Sequence, residues 1–222
     1  VDGRDSASSA VDGVLHLGAD VTLRVGSLVV TAGSVTLDGG ATHVHATGDV
    51  RLSQPLTMVG VGSPTRISAG GELYIGAAVT VMGEVQINAT TMNVTSSGSV
   101  VGTGRSHTTD NQGPDSARFT ASTAYYSRAC CYTNYYYYHY AAGSHGGVAI
   151  KHAQQTGNEV EGTPYGSTFE PITQGSGGQG TDGGAALKLD VDTLDFNGHI
   201  EVRGETRNPY SGGAGGSVWI IV

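Results

Sequence analysis

Two cysteines stand side by side in this chain, Cys130 and Cys131, and the sequence has no others. Neighbouring Cα atoms lie about 3.8 Å apart across a trans peptide, short of the ~4.4–6.8 Å that a relaxed disulfide spans. A bond between the two is therefore a strained vicinal ring. In an oxidising compartment each can instead bond to another chain, and free thiols are the third state. A zinc site built on them lacks partners, because His139 and His145 do not follow at zinc-motif spacing.

The next candidate surface is aromatic. Eight of the eleven tyrosines fall within residues 125–140, around Tyr135-Tyr136-Tyr137-Tyr138-His139-Tyr140. In an extended chain Tyr136, Tyr138 and Tyr140 face one side, and Tyr135, Tyr137 and His139 the other. Tyrosine offers a large contact area at low entropic cost, so the run reads first as a subunit contact and second as a platform for stacking sugars. An ordinary satellite core is the plain alternative.

Other side chains carry weaker signals. His43 and His45 share one side of a strand and could hold a metal, although alternate histidines on a strand are more often solvated. Asp190, Asp192 and Asp195 are the densest acidic set, but the D-x-[DN]-x-[DN]-G loop that makes a calcium site is absent. No cofactor is expected. Two sequons, Asn88-Ala89-Thr90 and Asn93-Val94-Thr95, are candidate N-glycosylation sites. Val85, Ile87, Met92 and Val94 would point inward, which turns Asn88 and Asn93 outward.

Catalysis finds little support. Glycoside cleavage needs two carboxylates at a set separation, and the acids here are scattered, among them Asp20, Asp38, Asp49, Glu72 and Glu84. There is no nucleophile elbow, P-loop or metal-binding helix. The chain reads as a non-enzyme, with a polysaccharide-cleaving enzyme as the third-ranked reading.

These residues need a scaffold, and its pattern is regular. Short alternating strands such as Val21-Thr22-Leu23-Arg24-Val25, Leu28-Val29-Val30 and His43-Val44-His45-Ala46 recur, with glycine at the bends between them. A one-residue corner bends a strand but cannot reverse it, which argues against a sandwich of hairpins. Strand-and-corner units of roughly 6–9 residues, three to a turn, predict a coil of about 20–25 residues. The predicted fold is all-β, a right-handed parallel β-helix.

The pattern divides the chain. Residues 1–13 are a polar lead-in, 14–104 are coils, 105–184 form a Tyr/Cys/Gly-rich insertion packed on the coil or a neighbour, and 185–222 resume the coil. Glycine makes up 36 of 222 residues, read as corners and linkers. The net charge of −8 disfavours nucleic acid and anionic membranes as partners. No apolar run approaches the ~18 residues that span a bilayer. Starting at Val1 without a leader, the chain reads as having lost any targeting peptide. Ending on Val218, Trp219, Ile220, Ile221 and Val222, it reads as a unit of a longer array with an open edge for end-to-end assembly.

The C-terminal third also carries a pattern of its own. It comprises Gly146-Gly147, Pro164-Tyr165-Gly166-Ser167-Thr168-Phe169-Glu170-Pro171, Gly175-Ser176-Gly177-Gly178, Gly183-Gly184-Ala185-Ala186-Leu187-Lys188-Leu189 and Gly212-Gly213-Ala214-Gly215-Gly216-Ser217-Val218-Trp219-Ile220. Over residues 146–222 the chain resembles the very large secreted, glycine-rich β-helix repeat proteins of eukaryotic microbes; residues 14–104 match only in style. The resemblance implies an extracellular structural or adhesive role, as in cell-surface coats or the shafts of flagellar hairs, and brings no catalytic residues. The expected function is a rod-like structural unit that pairs with copies of itself into a filament or coat. A surface adhesin that binds glycans through the tyrosine run is the alternative.

Overall fold

The structure is a computed structural model, which describes residues 8–106, 122–125, 136–139, 145, 165–177, 181–206 and 212–222. Those residues are all-β, with no helix among them. The strands are β1 (Ser8–Leu17), β2 (Thr22–Val25), β3 (Ser27–Asp38), β4 (His43–Ala46), β5 (Val50–Leu52), β6 (Leu56–Ile75), β7 (Ala78–Val94), β8 (Ser99–Val101), β9 (Ser122–Tyr125), β10 (Tyr136–His139), β11 (Ala186–Phe196), β12 (His199–Glu201) and β13 (Ser217–Ile221). Eleven of them form one open sheet in which every pairing is parallel; β9 and β10 pair separately and antiparallel.

The register follows from the alternation of apolar and polar residues. Thr22 pairs with His43, 21 residues on; His43 pairs with Arg66, 23 on; Arg66 pairs with Gln86, 20 on. Inward side chains then stack like on like. One series runs Leu23, Val44, Ile67, Ile87, Leu189, Ile220. A second runs Leu28, Val50, Leu73, Met92, Leu194. The third runs Leu15, Val35, Leu56, Val79, Val100, Ile200.

From β2 to β12 the chain visits these three series in a fixed rotation. Leu28, Val50, Leu73 and Met92 are each no more than 2% exposed, as are Val35, Leu56, Val79 and Val100. A fully buried side chain of this size contributes about 1.5–3 kcal/mol, so these stacks are the main source of stability.

Strands of 20 and 17 residues, β6 and β7, replace the short strands the sequence suggests. Pairing continues through the bends, with register shifts between Gly60 and Thr65 and between Ala69 and Glu72. At one bend Gly83 adopts φ 72°, and a side chain on Gly60 would collide with the Glu84 carbonyl. Glycine there answers both a left-handed backbone and a close approach.

Another bend is held by threonines. The buried Thr42 hydroxyl donates to the Gly18 carbonyl at 2.8 Å, and the buried Thr65 hydroxyl donates to the Gly39 carbonyl at 3.0 Å. Pairing starts at Ser8, within the stretch read as a polar lead-in. After residue 101 the sheet resumes at Ala186, which lies beside Glu84.

Candidate functional site

Before β11 and again between β12 and β13 the chain builds a second kind of packing. Residues 175–177, 182–185, 203–206 and 212–216 belong to no strand. Their backbones bond to one another: Gly175 N donates to Gly184 O at 2.8 Å, Gly184 N to Ala214 O at 2.9 Å and Ala214 N to Ser176 O at 2.9 Å. Glu205 N donates to Asp182 O at 2.8 Å, and Gly216 N to Val202 O at 2.7 Å.

Side chains on Gly175, Gly183, Gly184, Gly204, Gly213 or Gly216 would all approach a neighbouring backbone more closely than 3.0 Å. None of the six has a positive φ. Space, rather than conformational freedom, demands glycine here, as at the crowded axis of collagen. The glycine runs are thus a packed net rather than the linkers the sequence suggests.

The Tyr165–Pro171 motif closes a loop against this net. The Ser167 hydroxyl accepts from the amides of Phe169 and Glu170 at 3.2 and 3.0 Å, making the turn. The Tyr165 hydroxyl donates to the Gln174 carbonyl at 2.8 Å and accepts from the Ser176 hydroxyl at 2.7 Å. Burial pushes the Tyr165 phenol above its ordinary value.

His145 joins three segments: Nδ1 lies 2.8 Å from the Gly215 carbonyl, while Nε2 lies 2.9 Å from the Thr173 hydroxyl and 3.3 Å from the Ser217 hydroxyl. A carbonyl accepts only, so Nδ1 carries the proton and Nε2 accepts from Thr173 in the neutral ring. The Ser217 hydroxyl donates to the Thr173 carbonyl at 2.7 Å. Histidine and hydroxyls are here structural ties, with the serine proton already committed.

A charged cluster lies beside the net. Thr103 donates to Glu201 Oε1 at 2.7 Å, Arg203 Nε to the same oxygen at 2.7 Å, and His199 Nε2 sits 2.9 Å from Oε2. The Thr103 hydrogen bond, then His199 and Arg203, hold this carboxyl down to about 2. An open groove of about 540 Å³ is lined by His199, Ile200, Glu201, Val202, Arg203 and Gly215.

Nearby, burial and then Glu205 push the Asp182 carboxyl up, against a downward pull from Arg105. Asp182 N also donates to Glu205 Oε2 at 3.2 Å, so the glutamate serves the backbone. Sequence reasoning missed both clusters, because Thr103 and Glu201 are 98 residues apart and meet only through the β8–β12 pairing.

The residues singled out from sequence fall as follows. Val85, Ile87, Met92 and Val94 are buried, while Asn88 and Asn93 point outward and are half-buried. Asn93 Nδ2, the atom a glycan would take, donates to Glu72 Oε1 at 3.2 Å. His43 and His45 are half-buried, with ring centroids 5.7 Å apart and His43 Nε2 2.9 Å from the Ser68 hydroxyl. Asp190, Asp192 and Asp195 are exposed; Asp190 lies 3.9 Å from Lys188 Nζ and Asp195 accepts from Asn197 at 3.0 Å. Among the described residues no three His, Cys, Asp or Glu side chains converge as a metal site.

Tyr136, Tyr137 and Tyr138 lie in β10, whose backbone pairs with β9. Cys130, Cys131, Tyr135 and Tyr140 fall outside the described residues. The closing strand holds Val218, Trp219, Ile220 and Ile221, paired with β11 on one side; Trp219 lies under Lys188 Nζ at 4.5 Å. Ile220 is 42% and Val222 73% exposed. No helix among the described residues is long and apolar enough to cross a membrane. Neither a known protein family, nor a curated protein, nor a solved structure matches the chain.

Proposed function

We propose that this chain is a right-handed parallel β-helix that serves as a rod-like unit of an extracellular structural protein, one that adds to copies of itself in a filament or cell-surface coat. The observation that carries this reading is the rotation through three apolar series, each of five or six stacked residues. Parallel partners about 20 residues apart, with the two other series visited in between, describe a coil advancing one strand spacing per turn. The right hand follows from the rule for parallel connections.

Such a coil is stiff because its inner strands are hydrogen-bonded on both sides. Among the described strands β2 and β13 each pair on one side only, and they terminate the same series at Leu23 and Ile220. An apolar edge at each end supports a head-to-tail contact that does not close on itself. The likeness of residues 146–222 to secreted glycine-rich repeat proteins supports the same role and location. Cys130 and Cys131 would then link chains, and Asn88 and Asn93 would carry sugar.

Sedimentation velocity over a range of concentrations, with reducing and non-reducing gels alongside, tests this. Growing polymers, with high-mass bands that collapse on reduction, are expected. A monomer at every concentration under oxidising conditions contradicts it.

A further inference from the structure

The outward side of β2, β4, β6 and β7 presents its side chains in two columns. Thr22, His43, Arg66 and Gln86 form one; Arg24, His45, Ser68 and Asn88 form the other. Neighbouring strands lie about 4.8 Å apart and alternate residues on a strand about 6.8 Å apart. Arg24, His43, His45 and Arg66 therefore share an area of about 10 by 7 Å. Arg24 and Arg66 are exposed and the two histidines half-buried.

No carboxylate among the described residues pairs with any of the four; the ion pairs involve His16, Lys188, His199 and Arg203 instead. Arg66 Nε donates to the uncharged Gln86 at 3.0 Å. Arg24 stands directly across from His45, and His43 across from Arg66. Once the histidines are protonated, like charges stand in direct register, which destabilises a sheet. In a chain of net charge −8 with neutral histidines, Arg24 and Arg66 make this a cationic face with no ion-paired carboxylate among the described residues.

We infer that this face binds an anionic polysaccharide laid across the strands. An anion between the arginines and histidines offsets the repulsion that arises when the histidines are protonated. Beyond the cations the columns continue as Ser68, Gln86 and Asn88, donors and acceptors at the same spacing for the hydroxyls of further sugar units. The positive stretch ends there, since the next lysine, Lys188, is paired with Asp190.

Nucleic acid suits the face less well. From β2 to β7 the two columns hold no Tyr, Phe or Trp for base stacking, and Trp219, further along the first column, is covered by Lys188. The acidic remainder of the chain repels a long, densely charged polymer. The site stands on this sheet face alone and does not depend on assembly.

Proton uptake should accompany binding. Burial, then His45, Arg66 and Arg24, hold His43 below its ordinary range. The groups facing it are Thr22 and Arg24 on β2, His45 on β4, Arg66 and Ser68 on β6 and Gln86 and Asn88 on β7, none of them acidic. The carboxylates that flank the columns are Glu84, two residues before Gln86 on the same side of β7, and Asp190, which follows Asn88. A bound anion favours charged His43, so affinity rises as pH falls.

Fluorescence anisotropy with the full chain tests the site, using a labelled heparin oligosaccharide, an oligogalacturonate, a neutral dextran of equal length and single-stranded DNA of equal charge. At low salt the heparin fragment, the galacturonate or both should bind, more tightly at about pH 5.5 than at about pH 7.5, and the dextran should not. Binding of only one anionic glycan assigns the ligand as sulfate-bearing or carboxylate-bearing. Arg24→Gln with Arg66→Gln should weaken binding about tenfold at both pH values, the loss of two exposed ionic contacts. His43→Gln with His45→Gln should flatten the pH dependence yet keep the affinity at higher pH. Circular dichroism confirms that each variant is folded. Absence of binding to both anionic glycans overturns the inference, as does equal affinity for DNA or an arginine double variant that binds like the parent.

Discussion

The carbonyl oxygen of Gly175 occupies the space where a β-carbon on Gly183 would sit. Neither glycine has a positive φ, so the contact is a matter of volume alone. Gly183→Ala should destabilise the chain by roughly 1–3 kcal/mol, the usual cost of overpacking. Gly212→Ala is the control, because its nearest neighbour would be the Glu205 carbonyl at 3.5 Å, ordinary contact. Thermal unfolding of the two variants should separate them clearly; equal losses would mean that the net is not close-packed.

Glu201 gives a pH signature. Its folded value lies at about 2, below the 4.5 of the free side chain. The stabilisation is thus complete above about 4.5 and is lost as pH falls towards about 2. Glu201→Gln should melt at a lower temperature than the parent at neutral pH, and the two curves should converge near pH 2. A difference that stays constant across that window would show that the ties to Thr103, His199 and Arg203 do not depend on charge.

Ala41 adopts φ 59°, a left-handed conformation that costs a residue with a β-carbon about 1–2 kcal/mol. Ala41→Gly removes that cost and loosens the unfolded chain, so the net gain should be small, up to about 1 kcal/mol. Denaturant unfolding should show a raised midpoint with an unchanged slope.

Tyr165 ties the 165–174 loop to the glycine net through its hydroxyl. Tyr165→Phe keeps the ring against His145, whose centroid is 5.0 Å away, and removes only the two hydrogen bonds. A loss of about 1–3 kcal/mol is expected, two bonds at about 0.5–1.5 kcal/mol each. Hydrogen exchange should quicken at the amides of Phe169 and Glu170 if the loop loosens, and remain unchanged in β6.

The parallel arrangement was legible because inward residues recur every 19 to 23 positions, as in Val44, Ile67 and Ile87. Their outward neighbours were equally plain, so the orientation of Asn88 and Asn93 could be read from parity. Strand lengths were not legible, since pairing runs through corners that sequence marks as breaks. The glycine net was missed because the glycines at 175, 183 and 213 look like flexible linkers until their backbones are seen in contact. The cationic face was missed for a simpler reason: the His43 and His45 pair was visible, but Arg24 and Arg66 become its neighbours only in register.

Electron cryo-microscopy of the full chain, assembled under oxidising conditions, decides whether the coils join end to end. Unbranched filaments are expected, with an axial repeat of about 4.8 Å, the spacing of strands stacked along the fibre. Discrete particles of one chain each, or fibres whose strands run along the axis, would contradict end-to-end joining.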